Sequence, residues 1–538
     1  MCFQVVANNR RAYAAPLAPT YTGGMPILLV FGLVAACLPV EWWPPPFAPE
    51  REVALALTGG TVALVLVAAF ALRTWVVRTL RHDPDRRIEV SHAYGRFRRV
   101  LFFVNVSAVT ACVLAFGWGW LVQHELRVSW NGENQIAPFA ELAVPLPYFA
   151  VLLGCWLIYY DAERALHRAL HVGGRAFWPR HAYLLHNLRQ FSLMVMLPVA
   201  LIVTQQTLGR FAPETTRTDV YRVASLAVVP VLLLLMPLLL KPLLGLETMP
   251  AGPIRDRLEA LAKRLNFRCA DFLLWPTHGA AVNAMIAGLL PRVRYVVFTD
   301  RILEDLPPDE LDAVLGHEIG HAKHAHIWLY AGFLTLSLSV LAALVLYAAQ
   351  QIDDSGALER PDYKAWFDEY KTWLALPPVA LVAGYLFVVF GALSRRCERQ
   401  ADVYGCKAVS CGDPACAGHD AKTIYPPGGH RLCPTGIRTF ARALERVGDL
   451  SGVSMTSAPE PLTPGRVLRA GWEWVRHWLH SPIPHRVAFL LALIDRPAIE
   501  PRFQWRVFAF KCALMSALAA ALVALGEAVG WKELFDAL

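Results

Sequence analysis

"LGHEIGHAKHAH", residues 315–326, holds four histidines and one glutamate in twelve positions. Pro307 and Pro308, followed by Asp309 and Glu310, mark a helix start just before it, with the acids at the positive end of the helix dipole. On that helix His317 and His321 are four residues apart, so their side chains stack on one face about 5–6 Å apart. Two imidazoles so placed can meet one tetrahedral zinc ion at about 2.0–2.1 Å each. Glu318 lies one residue round the helix, where it can take a proton from a metal-activated water instead of binding the metal. Such a zinc needs a third protein ligand and leaves its fourth position to water. His324 faces the same way as His317 but sits about 10.5 Å further along a straight axis. His326 points to nearly the opposite face. Both read as polar residues at a membrane boundary. No breaker precedes the apolar run that follows, so the histidine helix is expected to continue straight into a membrane span.

That apolar run is one of many. The chain is 56% hydrophobic and only 17% charged, against about 25% charged for a soluble domain. Nine stretches read as candidate spans: 25–40, 53–77, 100–122, 143–160, 191–206, 223–247, 327–350, 372–393 and 505–530. "VASLAVVPVLLLLMPLLL" (223–240) leaves no polar face for a soluble helix to turn to water. Basic residues collect in alternate loops. Arg78, Arg81, Arg86, Arg87, Arg96, Arg98 and Arg99 lie in 78–99, and Arg164, Arg168, Arg175, Arg180 and Arg189 in 161–190. Cytoplasmic loops retain positive charge. On that rule the N-terminus, 248–326 and 394–504 face the cytoplasm, and the C-terminus faces outward. The net charge of +8 then reflects topology and contact with anionic headgroups, and no nucleic-acid partner is expected. No cleavable secretory signal is evident, since Arg10 and Arg11 lie far from the first apolar run.

Glu398, in "SRRCERQAD" (394–402), follows His321 by 77 residues. An outward span, a loop and a return span fill that gap, which brings both segments to one membrane face. Glu398 is therefore the candidate third ligand. Asp402, four residues on, could orient a ligand imidazole from behind. The competing reading is a helix salt-bridged internally by Arg395, Arg396 and Arg399.

"HEIGH" followed by "SRRCERQAD" resembles the integral-membrane gluzincin metalloproteases, which include the type I CAAX prenyl proteases and the HtpX-like heat-shock proteases. The resemblance extends over about 250–490. It takes in "NAMIAGLLPRVRYVVFTDRIL" (283–303), "DELDAVLGHEIGHAKHAH" (309–326) and "HSPIPHRVAFL" (480–490). It implies that His317, His321 and Glu398 bind zinc and that Glu318 is general base and acid. It places His480 and Arg486 near the active site, His480 as an oxyanion donor, and Asn283 beside an edge strand that holds the substrate backbone. Ser481 stands where the family often has proline, and the cysteine-bearing insert after Asp402 is outside the family pattern.

In that insert Cys406, Cys411, Cys416 and Cys433, with His419 and His430 among them, could close a second, structural zinc site. Free thiols and a disulfide are the alternatives, the latter disfavoured by a reducing cytoplasm.

The expected fold is mainly α and polytopic, with about nine transmembrane helices and a zincin-type metalloprotease domain bearing a small hairpin or sheet. Its parts are a six-span membrane region (1–247), the first catalytic segment (248–326), a transmembrane hairpin (327–393), the second catalytic segment (394–504) and a last span (505–538). Within it, "AGPIRDRLEALAKRLNFRC" (251–269) has the period of an amphipathic helix, and "RYVVFT" (294–299) reads as a strand that could pair with 280–291. The expected function is zinc-dependent endoproteolysis of membrane-associated proteins in the inner membrane of a bacterium. CAAX-type cleavage of lipidated C-terminal peptides ranks second. A catalytically silent metal-binding scaffold or transporter is the reading from another class. The intact set of His317, Glu318, His321 and Glu398 speaks against it.

Overall fold

The computed structural model describes residues 50–170, 177–191, 196–279, 281–356, 360–419, 431–451 and 481–537. Helices dominate it. Three long ones, Arg51–His82, Arg87–Leu114 and Leu146–Leu170, share a seam of Val65, Ala69, Leu72, Val76, Val109, Val151 and Leu166. Away from that seam the first helix stays apolar, with Leu64 71% and Val67 64% exposed. A helix apolar inside and outside has no face for water, so lipid is the medium that suits it.

Among the described residues, five helical stretches are long and apolar enough to cross a membrane. They are Arg51–His82, Pro84–Leu114, Ala140–Leu170, His326–Asp354 and Ile499–Val529. Each overlaps one of the nine expected runs. The run at 100–122 is displaced toward the N-terminus, because Gly117 (φ 82°) turns the chain and starts the short helix Trp118–Glu125. The run at 25–40 lies outside the described residues. The runs at 191–206, 223–247 and 372–393 overlap helices Leu197–Phe211, Asp219–Leu244 and Pro361–Ala408, which are not among the five. A small hairpin, β1 (Arg127–Trp130) with β2 (Glu133–Ile136), turns at Asn131 and Gly132. Both have positive φ, as a two-residue hairpin turn requires.

The second sheet holds β3 (Glu247–Thr248), β4 (Asp271–Trp275), β5 (Ala284–Ala287) and β6 (Tyr295–Thr299), in the order β3-β4-β6-β5. β5 pairs antiparallel with β6, Met285 opposite Val297. β4, not expected from the sequence, runs parallel to β6. Phe272, Val296 and Phe298 from the sheet meet Leu258 and Leu261 from helix Pro253–Arg264 and Leu315 and Ile319 from the histidine helix, Pro308–Lys323. β5 is left as an edge beside the histidine helix.

The expectation that the histidine helix runs unbroken into the membrane is not met. It ends at Lys323, and Ala325 takes a left-handed conformation (φ 52°) before the span His326–Asp354 begins. A left-handed alanine costs about 1–2 kcal/mol. What offsets it is the new direction of His326, described below. The glutamate helix, Pro361–Ala408, is continuous over 48 residues, so the return run and Glu398 share one rod. Helix Pro434–Leu450 and helix Ile483–Asp495 (the arginine helix) pack against its end through Ile437, Phe440, Leu444, Val487 and Leu490.

Candidate active site

Small residues set how closely the histidine and glutamate helices approach. A Cβ on Gly316 would lie 2.4 Å from Ala408 Cβ, and one on Gly320 would lie 2.9 Å from Tyr404 Cβ. A Cβ on Gly405 would lie 3.0 Å from the Ala313 carbonyl oxygen. Only glycine at these points lets the two rods touch along their backbones. Ion pairs fix the histidine helix from its flanks: Arg257 Nη2 lies 2.8 Å from Asp312 Oδ2, and Arg446 Nε lies 2.7 Å from Glu310 Oε2. Arg264 donates to the Ala408 carbonyl at the end of the glutamate helix, at 2.6 Å.

The result is convergence of three donor groups. His317 Nε2 and His321 Nε2 are 3.2 Å apart. Glu398 Oε2 is 3.9 Å from the first, and Glu398 Oε1 is 3.6 Å from the second. The three residues offer ligand atoms all within 4.8 Å of one another. Two imidazoles and one carboxylate are a donor set of catalytic zinc sites, so the residues fit the metal that the spacing calls for.

Both imidazoles have their outer nitrogen engaged. His317 Nδ1 lies 3.0 Å from Asp402 Oδ1. Asp402 is in turn held by the Arg486 guanidinium, from Nε at 2.9 Å and Nη2 at 2.5 Å. Arg486 Nη1 also lies 3.5 Å from Glu398 Oε2. His321 Nδ1 lies 3.0 Å from His326 Nδ1, and His326 Nε2 lies 3.0 Å from Gln400 Oε1. Lys511 donates to that same Gln400 oxygen at 2.7 Å, which makes it an acceptor. The chain of donors then has one consistent reading. His326 donates from Nε2 to Gln400 and accepts at Nδ1 from His321. His321 is left with its Nε2 lone pair aimed at Glu398 and His317. Each imidazole of the pair thus has a polar partner 3.0 Å behind it that favours the tautomer with Nε2 free for a metal.

Charge follows the same pattern. Burial, aided by neighbouring His317, lowers the His321 pKa to about 4 and keeps the ring neutral. Burial also disfavours a charged His317, but the Asp402 hydrogen bond and the charges of Asp402, Glu318 and Glu398 outweigh it and raise its pKa. Burial would raise the Asp402 carboxyl. The Arg486 charge and the hydrogen bonds from His317 and Arg486 hold it below the usual range instead. Asp402 is 0% and Arg486 8% exposed, so both act from behind the ligands.

Glu318 sits on the histidine helix between the two ligand histidines and is half-buried. Its charge is felt by both His317 and Arg486. Phe440 stacks on the His317 ring at 5.6 Å between centroids. Asn283 is exposed at the head of the edge strand β5. Its backbone N–H donates to Thr299 Oγ1 at 3.0 Å, and its carbonyl accepts from the Thr299 N–H at 3.0 Å. His480 lies outside the described residues, as does His430. His324 caps the histidine helix and stacks on His326 at 5.7 Å. The cysteine group also sorts itself. Cys411, Cys416, His419 and Cys433 cluster, whereas Cys406, expected with them, is buried among Val403, Val409, Ile437 and Phe440.

Sequence reasoning missed His326, Gln400 and Phe440. On a straight helix His326 would point to the far face; the left-handed Ala325 turns it to His321. No residue type at 324–325 signals the left-handed turn, since alanine is an ordinary helix former.

Residues 249–423 match peptidase family M48. A CAAX prenyl protease 1 homolog of Dictyostelium discoideum is 32% identical over 94 residues, which is 17% of this chain and 22% of that relative. A protease HtpX homolog of Sulfurihydrogenibium sp. (strain YO3AOP1) is 35% identical over 98 residues, 18% of this chain and 32% of that relative. The matched stretch thus spans less than a third of the length of either relative. Among solved structures, the crystal structure of S. mikatae Ste24p aligns with a TM-score of 0.47 at 14% identity, covering 82% of this chain and 100% of that one.

Proposed function

We propose that this chain, whose residues 249–423 match peptidase family M48, is a membrane-embedded zinc endopeptidase that cuts membrane-associated proteins close to the bilayer surface. The observation that carries this reading is the meeting of His317, His321 and Glu398 beside Glu318 at the membrane end of a span. A divalent cation held by those three residues supplies Lewis acidity, both to an attacking water and to a scissile carbonyl.

The chain's own groups do the rest. The strand β5, headed by Asn283 and at the sheet's edge among the described residues, offers backbone groups on which an extended substrate can align. Glu318 accepts the proton of the attacking water and delivers it to the leaving amine. Asp402 and His326 hold the two ligand imidazoles in the tautomers that present Nε2 inward. Arg486 keeps Asp402 ionised and in place and lies 3.5 Å from Glu398, so it is a positioning residue. His480 is assigned the oxyanion on the family resemblance alone.

The arginines gathered in 78–99 and 161–190 support a site on the cytoplasmic side, and the membrane of this reading is a bacterial inner membrane. General proteolysis of membrane proteins is the preferred activity. Cleavage of prenylated C-terminal peptides is the second reading, favoured by the names of several relatives, including the Dictyostelium one. The test compares the purified protein and its Glu318→Gln form, zinc-loaded in detergent, on a quenched unmodified peptide and a prenylated one. Cleavage by the wild type and a loss on the order of a thousandfold or more in the variant is expected. Equal rates would reject the catalytic role. Cleavage that requires the prenyl group would promote the second reading.

A further inference from the structure

We propose that Cys411, Cys416, His419 and Cys433 bind a second zinc ion, a structural one that clasps the end of the glutamate helix to the start of helix Pro434–Leu450. The four residues offer three sulfurs and one ring nitrogen, all within 4.8 Å of one another. A tetrahedral zinc with Zn–S of about 2.3 Å and Zn–N of about 2.0–2.1 Å holds its ligand atoms roughly 3.5–3.8 Å apart. The measured spacings bracket that range: His419 Nδ1 is 3.3 Å from Cys416 Sγ and 4.0 Å from Cys433 Sγ.

The surroundings are those of a metal site. His419 Nε2 lies 3.1 Å from the Val409 carbonyl oxygen. A carbonyl can only accept, so Nε2 carries the proton and Nδ1 turns its lone pair toward the sulfurs. A ligating histidine commonly has its other nitrogen engaged in this way. The Gly436 N–H donates to Cys433 Sγ at 3.2 Å, and Thr435 Oγ1 lies 3.4 Å from Cys416 Sγ. The Gly436 donor favours a thiolate over a thiol at Cys433. No two of these cysteines are bonded to each other. Three unbonded thiols gathered round one imidazole lone pair have no packing rationale, since free cysteines otherwise behave as small buried hydrophobes. Cys406 does so here and marks the contrast.

The location gives the metal its work. Cys411 follows the end of the glutamate helix by a few residues, and Cys433 caps the N-terminus of helix Pro434–Leu450. Ser410 joins the same two ends, donating to the Cys406 carbonyl at 2.8 Å and accepting from the Cys433 N–H at 3.1 Å. From the helix so anchored, Phe440 stacks on His317 and Arg446 pairs with Glu310. The clasp therefore acts on the candidate active site by positioning, through Phe440 and the histidine helix, and supplies no group to it.

The test counts metal in the full-length protein purified without chelators, and reads cobalt spectra after exchange. The wild type should hold two zinc ions per chain, and Cys416→Ser or Cys433→Ser one. The double variant His317→Ala/His321→Ala should also hold one, and its cobalt form should show the strong near-ultraviolet thiolate charge-transfer band that a His/His/Glu site lacks. That double variant keeps the test decisive where the cysteine variants fail to fold. A His317→Ala/His321→Ala protein with no metal, or with cobalt but no thiolate band, would overturn the proposal. A wild type holding a single thiolate-bound zinc would uphold it while rejecting the catalytic metal, so the two readings fail separately.

Discussion

On the proposed reading His326 and Asp402 do the same job for the two candidate zinc ligands His321 and His317, and their chemistry differs in a testable way. Partners behind metal ligands typically contribute on the order of 10–100-fold in metal affinity or activity. His326→Ala should cost that much, measured by zinc competition against a chelator. His326→Gln, which keeps an acceptor for the His321 N–H, should recover part of it. Asp402→Ala should do more, because it takes the two closest contacts from the buried Arg486 charge and leaves it Glu398 at 3.5 Å. Removing one partner of a buried pair costs about 3–5 kcal/mol, so the thermal midpoint in detergent should fall together with metal affinity. An Asp402→Ala protein as stable as wild type would show that Arg486 finds other partners. At this scale the sequence was half legible. The four-residue spacing of His317 and His321 announces a shared face, and Asp402 sits one turn beyond Glu398. His326 was hidden by a single left-handed residue, Ala325, which no side chain there demands.

Two rods, the histidine and glutamate helices, bring the site together, and their spacing rests on glycine. Gly320→Ala or Gly316→Ala would push a methyl into the opposing helix. Overpacking of this kind costs about 1–3 kcal/mol. The helices should separate and the zinc affinity of the His317 pair should drop, while Gly59→Ala, which meets nothing within 4 Å, should leave it unchanged. Zinc affinity unaltered by Gly320→Ala would mean that Glu398 reaches the metal without this close contact. The pairing of the rods could be read from the chain, because an outward and a return run between 321 and 398 leave both ends on one side. The edge hairpin was legible too, from the strand pattern at 294–299 and the apolar stretch 280–291 that could pair with it. β4 was not. "DFLLW" (271–275) is an aspartate and four apolar residues, a run too short for periodicity to separate strand from buried helix, and its parallel partner is distant in sequence.

For the whole molecule the governing claim is orientation. On the proposed reading, the arginine-rich segments 78–99 and 161–190 lie inside the cell with the site, and the β1–β2 hairpin outside. A cysteine introduced by Glu133→Cys should react with a membrane-impermeant maleimide on intact cells, above the wild-type background. One introduced by Asp85→Cys should react only after lysis. The reverse pattern would put the active site outside. Charge bias gives the sequence an expected orientation, whereas run length alone did not fix the number of crossings. Among the described residues five stretches qualify, and Gly117 ends one helix within an apolar run that reads as a single span.

All of this depends on one cation shared by two segments far apart in the chain. The most direct measurement is anomalous scattering at the zinc edge from crystals of zinc-loaded Glu318→Gln protein. The expected result is a peak about 2.0–2.2 Å from His317 Nε2, His321 Nε2 and a Glu398 oxygen together. Zinc bound elsewhere in the crystal with no peak at that point, or a peak bonded to the histidines with Glu398 turned away, would contradict it.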